Sequence, residues 1–163
     1  IIGGVNVDNA IQDVEWTTIA FFMALFVVVG GLTETGVIKQ VAAVIIERTA
    51  GHPVMMMLIL LWASALLSSF LNNIPFIATL IPLVLALKAD GMDAEPLWWA
   101  ISLGACLGGN GTMIGASANV VLSDISTKHG YPITFKSYLR VGMPFMLGSV
   151  FISMVFLLVK YAI

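Results

Sequence analysis

The stretch LGGNGTMIGASANVV, residues 107–121, interrupts an otherwise apolar region of the chain. It contains four glycines and four Asn, Thr or Ser residues. Glycine disfavours a continuous helix, and hydrocarbon disfavours unpaired polar groups. The stretch therefore predicts a flexible, polar break inside a segment that would otherwise be a transmembrane helix.

Around this break the chain has the composition of an integral membrane protein. Of its 163 residues, 60% are hydrophobic and 10% are charged, whereas soluble domains are about 45–50% apolar and about 25% charged. The net charge of −2 argues against a nucleic-acid partner, and the single cysteine excludes an intrachain disulfide. We expect a multi-pass protein of a cell or organelle membrane, with the lipid bilayer as its surroundings.

The apolar pattern predicts five helical segments. Residues 16–32 predict a first transmembrane span, and residues 34–50 an amphipathic helix that lies at the membrane interface. Residues 143–161 predict the last span, with Lys and Tyr as anchors at its end. Between them lie two interrupted apolar segments, residues 54–88 and residues 97–127.

The first interrupted segment, residues 54–88, is broken at Asn72, Asn73, Ile74 and Pro75. Its second arm gives only ~18 Å of helix, which is too short to cross ~30 Å of hydrocarbon. Asn-Asn-x-Pro is turn chemistry, so we prefer a re-entrant hairpin. One long tilted helix, broken in the middle, is the alternative.

The second interrupted segment, residues 97–127, predicts one span that is unwound at its centre. Non-helical backbone at membrane depth must be buried in protein or line a watery cavity. The pairs Gly104/Gly108 and Gly111/Gly115 also fit the small-xxx-small pattern of closely packed transmembrane helices, which is the alternative explanation of the glycines. We favour a binding site because Asn110 and Thr112 lie between the glycines of the break.

Two such breaks, each flanked by half-helices, indicate the binding site of a secondary transporter. Helix N-termini favour an anion, and free carbonyls at helix C-termini can hold Na⁺. No Asp, Glu, Lys, Arg or His lies within residues 54–87 or 97–123, which favours an anion, a neutral solute or Na⁺ held by carbonyls. We expect any Na⁺ to meet backbone near Asn73 and Gly109.

Three stretches carry a family resemblance: VEWTTIAFFMALFVVVGGLTETGVI (14–38), SSFLNNIPFIATLIPLV (68–84) and LGACLGGNGTMIGASANVV (103–121). The chain resembles the ion transporter superfamily of arsenite permeases, NhaD-type Na⁺/H⁺ antiporters, and citrate and dicarboxylate carriers, and it looks closest to the melanosomal P protein branch. The resemblance implies an all-α membrane fold built from two inverted repeats, each with a re-entrant hairpin and an unwound, discontinuous helix. This chain would be the C-terminal repeat, with the N-terminal repeat of the same parent and a second copy in a homodimer as its protein partners.

The resemblance also assigns roles to residues. Asn72, Asn73 and Ile74 match the hairpin tip that holds Ser-Asn-Thr in dicarboxylate carriers, and the unwound segment matches at residues 108–112. Asn72 stands where antiporter-like members often have Asp, so the coupling carboxylate of an exchanger would have to lie in the other repeat. The full set of candidate solute- or ion-binding residues is Asn72, Asn73, Ile74, Pro75, Thr79, Gly108, Gly109, Asn110, Gly111, Thr112, Gly115, Ser117 and Asn119.

From these features we expect a secondary active transporter of a small ion, more often an anion, coupled to Na⁺ or H⁺. A Na⁺/H⁺ antiporter of the NhaD type and an anion channel are the alternatives, and a purely structural membrane module is a third. We expect no enzyme and no organic cofactor or metal centre. The apolar arms hold no nucleophile–base pair, and the chain shows no metal-ligand spacing.

Overall fold

The computed structural model describes residues 16–49, 52–71 and 73–161. All regular secondary structure in these residues is helical, which confirms the predicted all-α class for the described part of the chain. The helices in chain order are α1 Trp16–Glu34, α2 Val37–Thr49, α3 Pro53–Ser68, α4 Asn73–Ala89, α5 Ala94–Gly108, α6 Ser117–Lys128 and α7 Phe135–Tyr161.

Helix α7 is, among the described residues, the one helix that is both long and apolar enough to cross a membrane. It begins at Phe135, eight residues before the expected start of the last span at residue 143. Thr134 explains the early start, because its Oγ1 accepts a hydrogen bond from the Ser137 amide at 3.2 Å. The Ser137 hydroxyl oxygen accepts one in return from the Thr134 amide at 3.0 Å, so the pair caps the helix reciprocally.

The first interruption lies slightly upstream of its expected position. Helix α3 ends at Ser68, residues 69–71 form a turn, and α4 begins at Asn73. Ile74 and Pro75 therefore belong to the first turn of α4 rather than to the interruption. Helix α4 continues through Pro82 to Ala89.

Helix α5 is the centre of the described helices. It packs against α3, α4 and α7, whereas α3 and α4 make few contacts with each other. The two arms of the expected hairpin are thus joined through α5. The buried apolar core consists of Met56, Met57, Leu60, Leu61, Ala65, Leu83, Val84, Leu87, Ala94, Leu97, Ala100, Ile101, Met146, Val150 and Leu157.

The contact between α3 and α5 depends on two glycines of α5. A Cβ atom at Gly104 would lie 2.8 Å from the Cβ of Ser64, and one at Gly108 would lie 2.8 Å from the Cα of Ala65. Neither distance leaves room for a side chain. The two backbones approach closely because these positions carry only hydrogen, as in small-xxx-small helix pairs.

At one end of the helix pair α5 and α7, a polar cluster joins the first turn of α5 to the last turn of α7. The Tyr161 hydroxyl donates to Glu95 Oε1 at 2.6 Å, and Lys160 Nζ lies 3.3 Å from the same oxygen. Lys160 Nζ also lies 5.1 Å from the ring centroid of Trp99. The hydrogen bond from Tyr161, followed by the interaction with Lys160, lowers the pKa of Glu95. Aromatic and charged side chains of this kind mark a membrane–water interface.

A hydrogen bond near the end of α3 joins this helix to α5. Ser68 is buried, and its hydroxyl donates to the carbonyl oxygen of Ala105 in α5 at 2.7 Å. We expect Ser68→Ala to lower the free energy of unfolding by about 1 kcal/mol, because the bond crosses between two helices. The measurement is unfolding of the full-length parent protein in mixed micelles.

The matched control is Ser149→Ala in α7. The hydroxyl of Ser149 donates only to carbonyls of its own helix, Phe145 at 2.9 Å and Met146 at 3.0 Å. We expect its replacement to change the free energy of unfolding by less than about 0.5 kcal/mol, since the helical hydrogen bonds remain. Equal effects of the two substitutions would contradict the proposed tie between α3 and α5.

Candidate functional site

Residues 109–116 separate α5 from α6 and contain no regular helix. Short backbone hydrogen bonds fold them into turns. The amide of Asn110 donates to the Leu107 carbonyl at 3.1 Å, and the amide of Gly111 donates to the Gly108 carbonyl at 2.8 Å. The segment is therefore a compact, ordered break. We refer to residues 109–116 as the break segment.

The break segment packs on the C-terminal end of α3. The Thr112 hydroxyl, which is fully buried, donates to the carbonyl oxygen of Ser69. A Cβ atom at Gly111 would lie 2.9 Å from Ser69 Cβ, and one at Gly115 would lie 2.8 Å from the Ser69 carbonyl oxygen. The glycines thus let the backbone of the break segment lie directly against Ser69.

Asn119, in the first turn of α6, closes the break segment from the other side. Its Nδ2 donates to the carbonyl oxygen of Gly109 at 2.8 Å and to that of Thr112 at 3.1 Å. These two carbonyls belong to backbone that has left the helix. Asn119 satisfies the Gly109 carbonyl, and it adds a second hydrogen bond to the Thr112 carbonyl, which also accepts from the Gly115 amide at 3.3 Å. The amide of Asn119 and the hydroxyl of Thr112 are thus engaged inside the protein in this conformation.

Asn110 differs from its neighbours in the break segment. Its side chain is half-buried and has no hydrogen-bond partner within the part of the chain that the structure describes. It lines a cavity of about 450 Å³ between the break segment, the loop before α7 and the first half of α7. The other lining residues are Ile133, Ser137, Tyr138, Val141, Gly142 and Phe145.

Gly142 brings α7 against the break segment beside this cavity. A Cβ atom at Gly142 would lie 2.7 Å from the carbonyl oxygen of Asn110 and 2.8 Å from Cε1 of Tyr138. The absence of a side chain therefore allows both Asn110 and Tyr138 to reach the cavity wall. Tyr138, like Asn110, has no side-chain hydrogen bond to any described residue.

The structure therefore groups most of the predicted site residues, Gly108 to Asn119, around Ser69 and α7. Asn73 is half-buried in the first turn of α4, and no hydrogen bond among the described residues joins its side chain to the break segment. Ile74 is 61% exposed, and the Thr79 hydroxyl donates to the Phe76 carbonyl at 2.7 Å. Asn72 lies outside the described residues, so its predicted role stays a prediction, as does Na⁺ binding near Asn73 and Gly109.

Three residues of this region were not among the predicted site residues. Ser69 is the acceptor for Thr112, and Tyr138 and Gly142 form part of the cavity wall. A local signal existed for Ser69, because a Ser-Ser pair ends the apolar arm just before the Asn-x-Pro turn. No such signal marked Tyr138, which lies in a polar stretch that resembles a loop.

Charged groups are absent from the described walls of this region. Of the described side chains that line the cavity, none is charged, and no described group of three His, Cys, Asp or Glu residues is placed to hold a metal ion. Two helices begin beside breaks in the described chain: α4 at Asn73 and α6 at Ser117. Their N-terminal amides provide partial positive charge to an otherwise neutral site.

Comparison with known proteins gives a consistent result. A family model described as citrate transporter matches residues 1–104. The P protein of Homo sapiens is 44% identical over 158 residues, covering 92% of this chain and 19% of that protein. The 46 kDa membrane protein of Mycobacterium leprae is 37% identical over 166 residues, covering 100% of this chain and 39% of that protein.

An uncharacterized transporter of Mycobacterium tuberculosis is 38% identical over 165 residues, covering 99% of this chain. The chain spans 38% of that transporter, so it corresponds to between a fifth and two fifths of the curated relatives it matches. No solved structure matches the chain.

Proposed function

The chain belongs to the citrate transporter family, and from this premise we propose that its parent protein is a secondary active transporter of a small ion, more often an anion than a cation. Membership makes the chain part of an integral membrane transporter rather than an enzyme. The observation that supports the proposal most strongly is the break segment, where the Asn110 side chain has no hydrogen bond to any described residue and lines a cavity of about 450 Å³. Alternating access of this site to the two sides of the membrane would move the solute.

The depth of the break segment in the membrane supports a solute site. The hydrogen-bonded pair of Glu95 and Tyr161 has the residue types of a membrane interface, so we take it as one edge of the hydrocarbon. From that edge, α5 extends ~20 Å from Glu95 to Gly108, and α7 extends ~22 Å in the same direction from Tyr161 back to Met146. Met146 Cε would lie 3.1 Å from a Cβ atom at Gly111, so both helices reach the break segment at similar depth. Such a depth lies within ~30 Å of hydrocarbon, where non-helical backbone is tolerated only in protein or beside a cavity.

We further propose that α3 and α4 form a re-entrant hairpin and that α5 and α6 are the halves of one discontinuous helix. The chain would be the C-terminal repeat of an inverted-repeat transporter that acts as a homodimer. The arrangement that supports this is the packing of both α3 and α4 on α5. It places the ends of α3 and α5 next to each other, as Ser69 and Thr112 show. The second repeat in the parent would complete the site.

The helix N-termini beside the breaks favour an anion over a cation. The first turn of α6 directly follows the break segment, and its amides favour negative charge. Na⁺ as a coupling ion would need free carbonyl oxygens, and the Gly109 carbonyl already accepts from Asn119. The second lone pair of the Gly109 carbonyl would be a ligand for Na⁺, and H⁺ coupling would use carboxylates of the other repeat.

Uptake into liposomes that contain the full-length parent tests the proposal. We expect Asn110→Ala and Asn73→Ala each to lower uptake of labelled citrate about tenfold, because each removes a hydrogen bond to a charged solute. Tyr131→Phe is the control, since Tyr131 is 77% exposed outside the cavity wall. Undiminished uptake in both asparagine variants, at normal protein levels, would overturn the site assignment.

Parallel measurements on the same vesicles separate the alternatives. Exchange of ²²Na⁺ for H⁺ without citrate uptake would favour the antiporter of the NhaD type. Chloride currents that do not saturate would favour the anion channel. A structural module would show neither flux. The Asn110 amide argues against such a module, because it has no partner among the described residues, whereas the side chains of Thr112 and Asn119 are hydrogen-bonded inside the protein.

A further inference from the structure

The cavity beside Asn110 is lined largely by apolar side chains, which an inorganic ion does not need for binding. Ile133, Val141 and Phe145 form its apolar walls, while Asn110, Ser137 and Tyr138 provide its polar groups. Its volume of about 450 Å³ lies within the range of small-molecule pockets in proteins. The cavity is therefore large enough for an organic molecule.

Two polar groups of the cavity wall, the Asn110 amide and the Tyr138 hydroxyl, are available to bind a ligand. Neither the Asn110 amide nor the Tyr138 hydroxyl has a side-chain hydrogen bond to another described residue, whereas the Ser137 hydroxyl donates to the Thr134 carbonyl at 2.8 Å. Neither group is sealed inside the protein, because no buried side-chain N or O atom of the described residues lacks a hydrogen-bond partner. An occupant of the cavity that offers a hydrogen-bonding group can therefore bond to Asn110 and Tyr138.

The rest of the cavity wall is apolar and carries no charged side chain, so it favours an uncharged, apolar part of a ligand. The cationic side chains nearby in sequence, Lys136 and Arg140, are exposed and do not line the cavity. A charged group in the apolar part of the cavity would lose its hydration without gaining a counter-charge. Val141 and Phe145 are 71% and 68% exposed, so the cavity is open along α7 and a molecule dissolved in the bilayer can reach it.

We propose that this cavity binds an uncharged amphiphile, with an apolar body against Val141 and Phe145 and one hydrogen-bonding head at Asn110 and Tyr138. This inference rests on the proposed function only in that the two sites share Asn110. The ion would meet the Asn110 amide at the break segment, whereas the amphiphile would lie in the apolar part of the cavity against α7 and compete for that amide. A compact solute and a lipid-like chain share this chemistry. The two sources differ in shape, so competition between a linear and a compact alcohol distinguishes them.

Equilibrium binding to the full-length parent in detergent micelles tests the proposal without requiring transport. The probe is tritiated 1-adamantanol, and its competitors carry the same body with an amide or a carboxylate head. We expect saturable binding, competition by the amide, and at least tenfold weaker competition by the carboxylate. Competition by 1-decanol at lower concentration than by unlabelled 1-adamantanol would identify a lipid-like occupant, and the reverse order a compact solute; either order supports the site.

Tyr138→Phe is the decisive variant because it removes one oxygen atom and keeps the ring. We expect it to weaken binding of 1-adamantanol about fivefold to tenfold, as the loss of one hydrogen bond implies. Tyr131→Phe, the same change outside the cavity wall, should leave binding unaltered. Val141→Trp should abolish binding by filling the cavity, with unfolding curves of each variant reporting that it is folded.

Three results would overturn the proposal. One is partitioning of 1-adamantanol that never saturates, as expected if water or the other repeat fills the cavity. Another is binding of equal strength in the parent and in Tyr138→Phe. The third is stronger competition by the carboxylate than by the amide. Because none of these readouts depends on citrate uptake, failure of this inference and failure of the transport proposal are separate results.

Discussion

Gly108→Ala is expected to destabilise the protein by about 3 kcal/mol, a large effect for the addition of one methyl group. The new Cβ would overlap the carbonyl oxygen of Ala65 and lie 2.8 Å from its Cα, so it meets backbone that cannot rotate away. Relief requires α5 to move away from α3, which loosens the largest helix contact in the described chain. Unfolding of the full-length parent in mixed micelles measures the change in free energy.

Gly148→Ala in α7 is the matched control, because a Cβ there meets no atom within 4 Å. Alanine is the better helix former, so this variant is expected to gain about 0.5–1 kcal/mol. Gly104→Ala should resemble Gly108→Ala, and the double variant should cost less than the sum because the helices separate only once. If Gly108→Ala is no less stable than Gly148→Ala, the close approach of α3 and α5 is wrong.

The sequence alone supports two explanations of the glycines, and the structure divides them between different positions. Gly104 and Gly108 pack α5 on α3, as the small-xxx-small explanation requires. Gly111 and Gly115 instead bring non-helical backbone against Ser69. A spacing of four residues is common to both pairs, so the pattern cannot separate them. The difference arises from where α5 ends, at Gly108.

Hydropathy predicts which residues favour the membrane, and only indirectly where a helix ends. The expected last span began at residue 143 because Lys136 and Arg140 are charged, yet α7 includes both. Helix ends are set by caps, and the reciprocal bonds of Thr134 and Ser137 fix this one. The Thr-x-x-Ser spacing was a usable signal. Gly130, with a φ of +86°, ends the preceding turn after α6 in a conformation that favours glycine.

The sequence could not predict which polar residues of this region hold the backbone together and which one faces the cavity. Asn110, Thr112 and Asn119 are chemically similar, so the sequence assigns all three to the solute. Their difference lies in tertiary contacts, because the acceptor for Thr112 is Ser69, 43 residues earlier in the chain. A local pattern carries no information about a partner at that separation. The break itself was predictable, because glycine weakens a helix at its own position and polar residues interrupt an apolar segment where they occur.

Asn119→Leu and Asn110→Leu are expected to act differently, because Asn119 holds the backbone of the break segment and Asn110 faces the cavity. Leucine is similar in size to asparagine and offers no donor. Asn119→Leu removes the donors to the carbonyls of Gly109 and Thr112 and leaves both without that partner inside the membrane. We expect it to cost about 1–3 kcal/mol of unfolding free energy, because the Gly109 carbonyl is left unsatisfied while the Thr112 carbonyl keeps its bond from the Gly115 amide at 3.3 Å. Unfolding in mixed micelles measures this loss.

Asn110→Leu makes the same chemical change nine residues earlier, at a side chain with no intramolecular hydrogen bond among the described residues. We expect its unfolding free energy to stay within about 0.5 kcal/mol of the parent, since no internal bond is lost. Its citrate uptake should nevertheless fall about tenfold, because the amide that meets the solute is gone. Stability and uptake would then respond to different asparagines.

The contrast is informative because each variant serves as the control for the other. Loss of uptake in Asn119→Leu would follow from a disordered break segment, whereas loss in Asn110→Leu would occur in a protein that unfolds normally. If Asn110→Leu destabilises the protein as much as Asn119→Leu does, then both asparagines hold the backbone together and neither is reserved for the solute. If Asn119→Leu unfolds like the parent, the break segment does not depend on the two hydrogen bonds from Asn119. Another group must then satisfy the Gly109 carbonyl, with water or a bound cation the chemically suitable choices, while the Gly115 amide remains the donor to the Thr112 carbonyl.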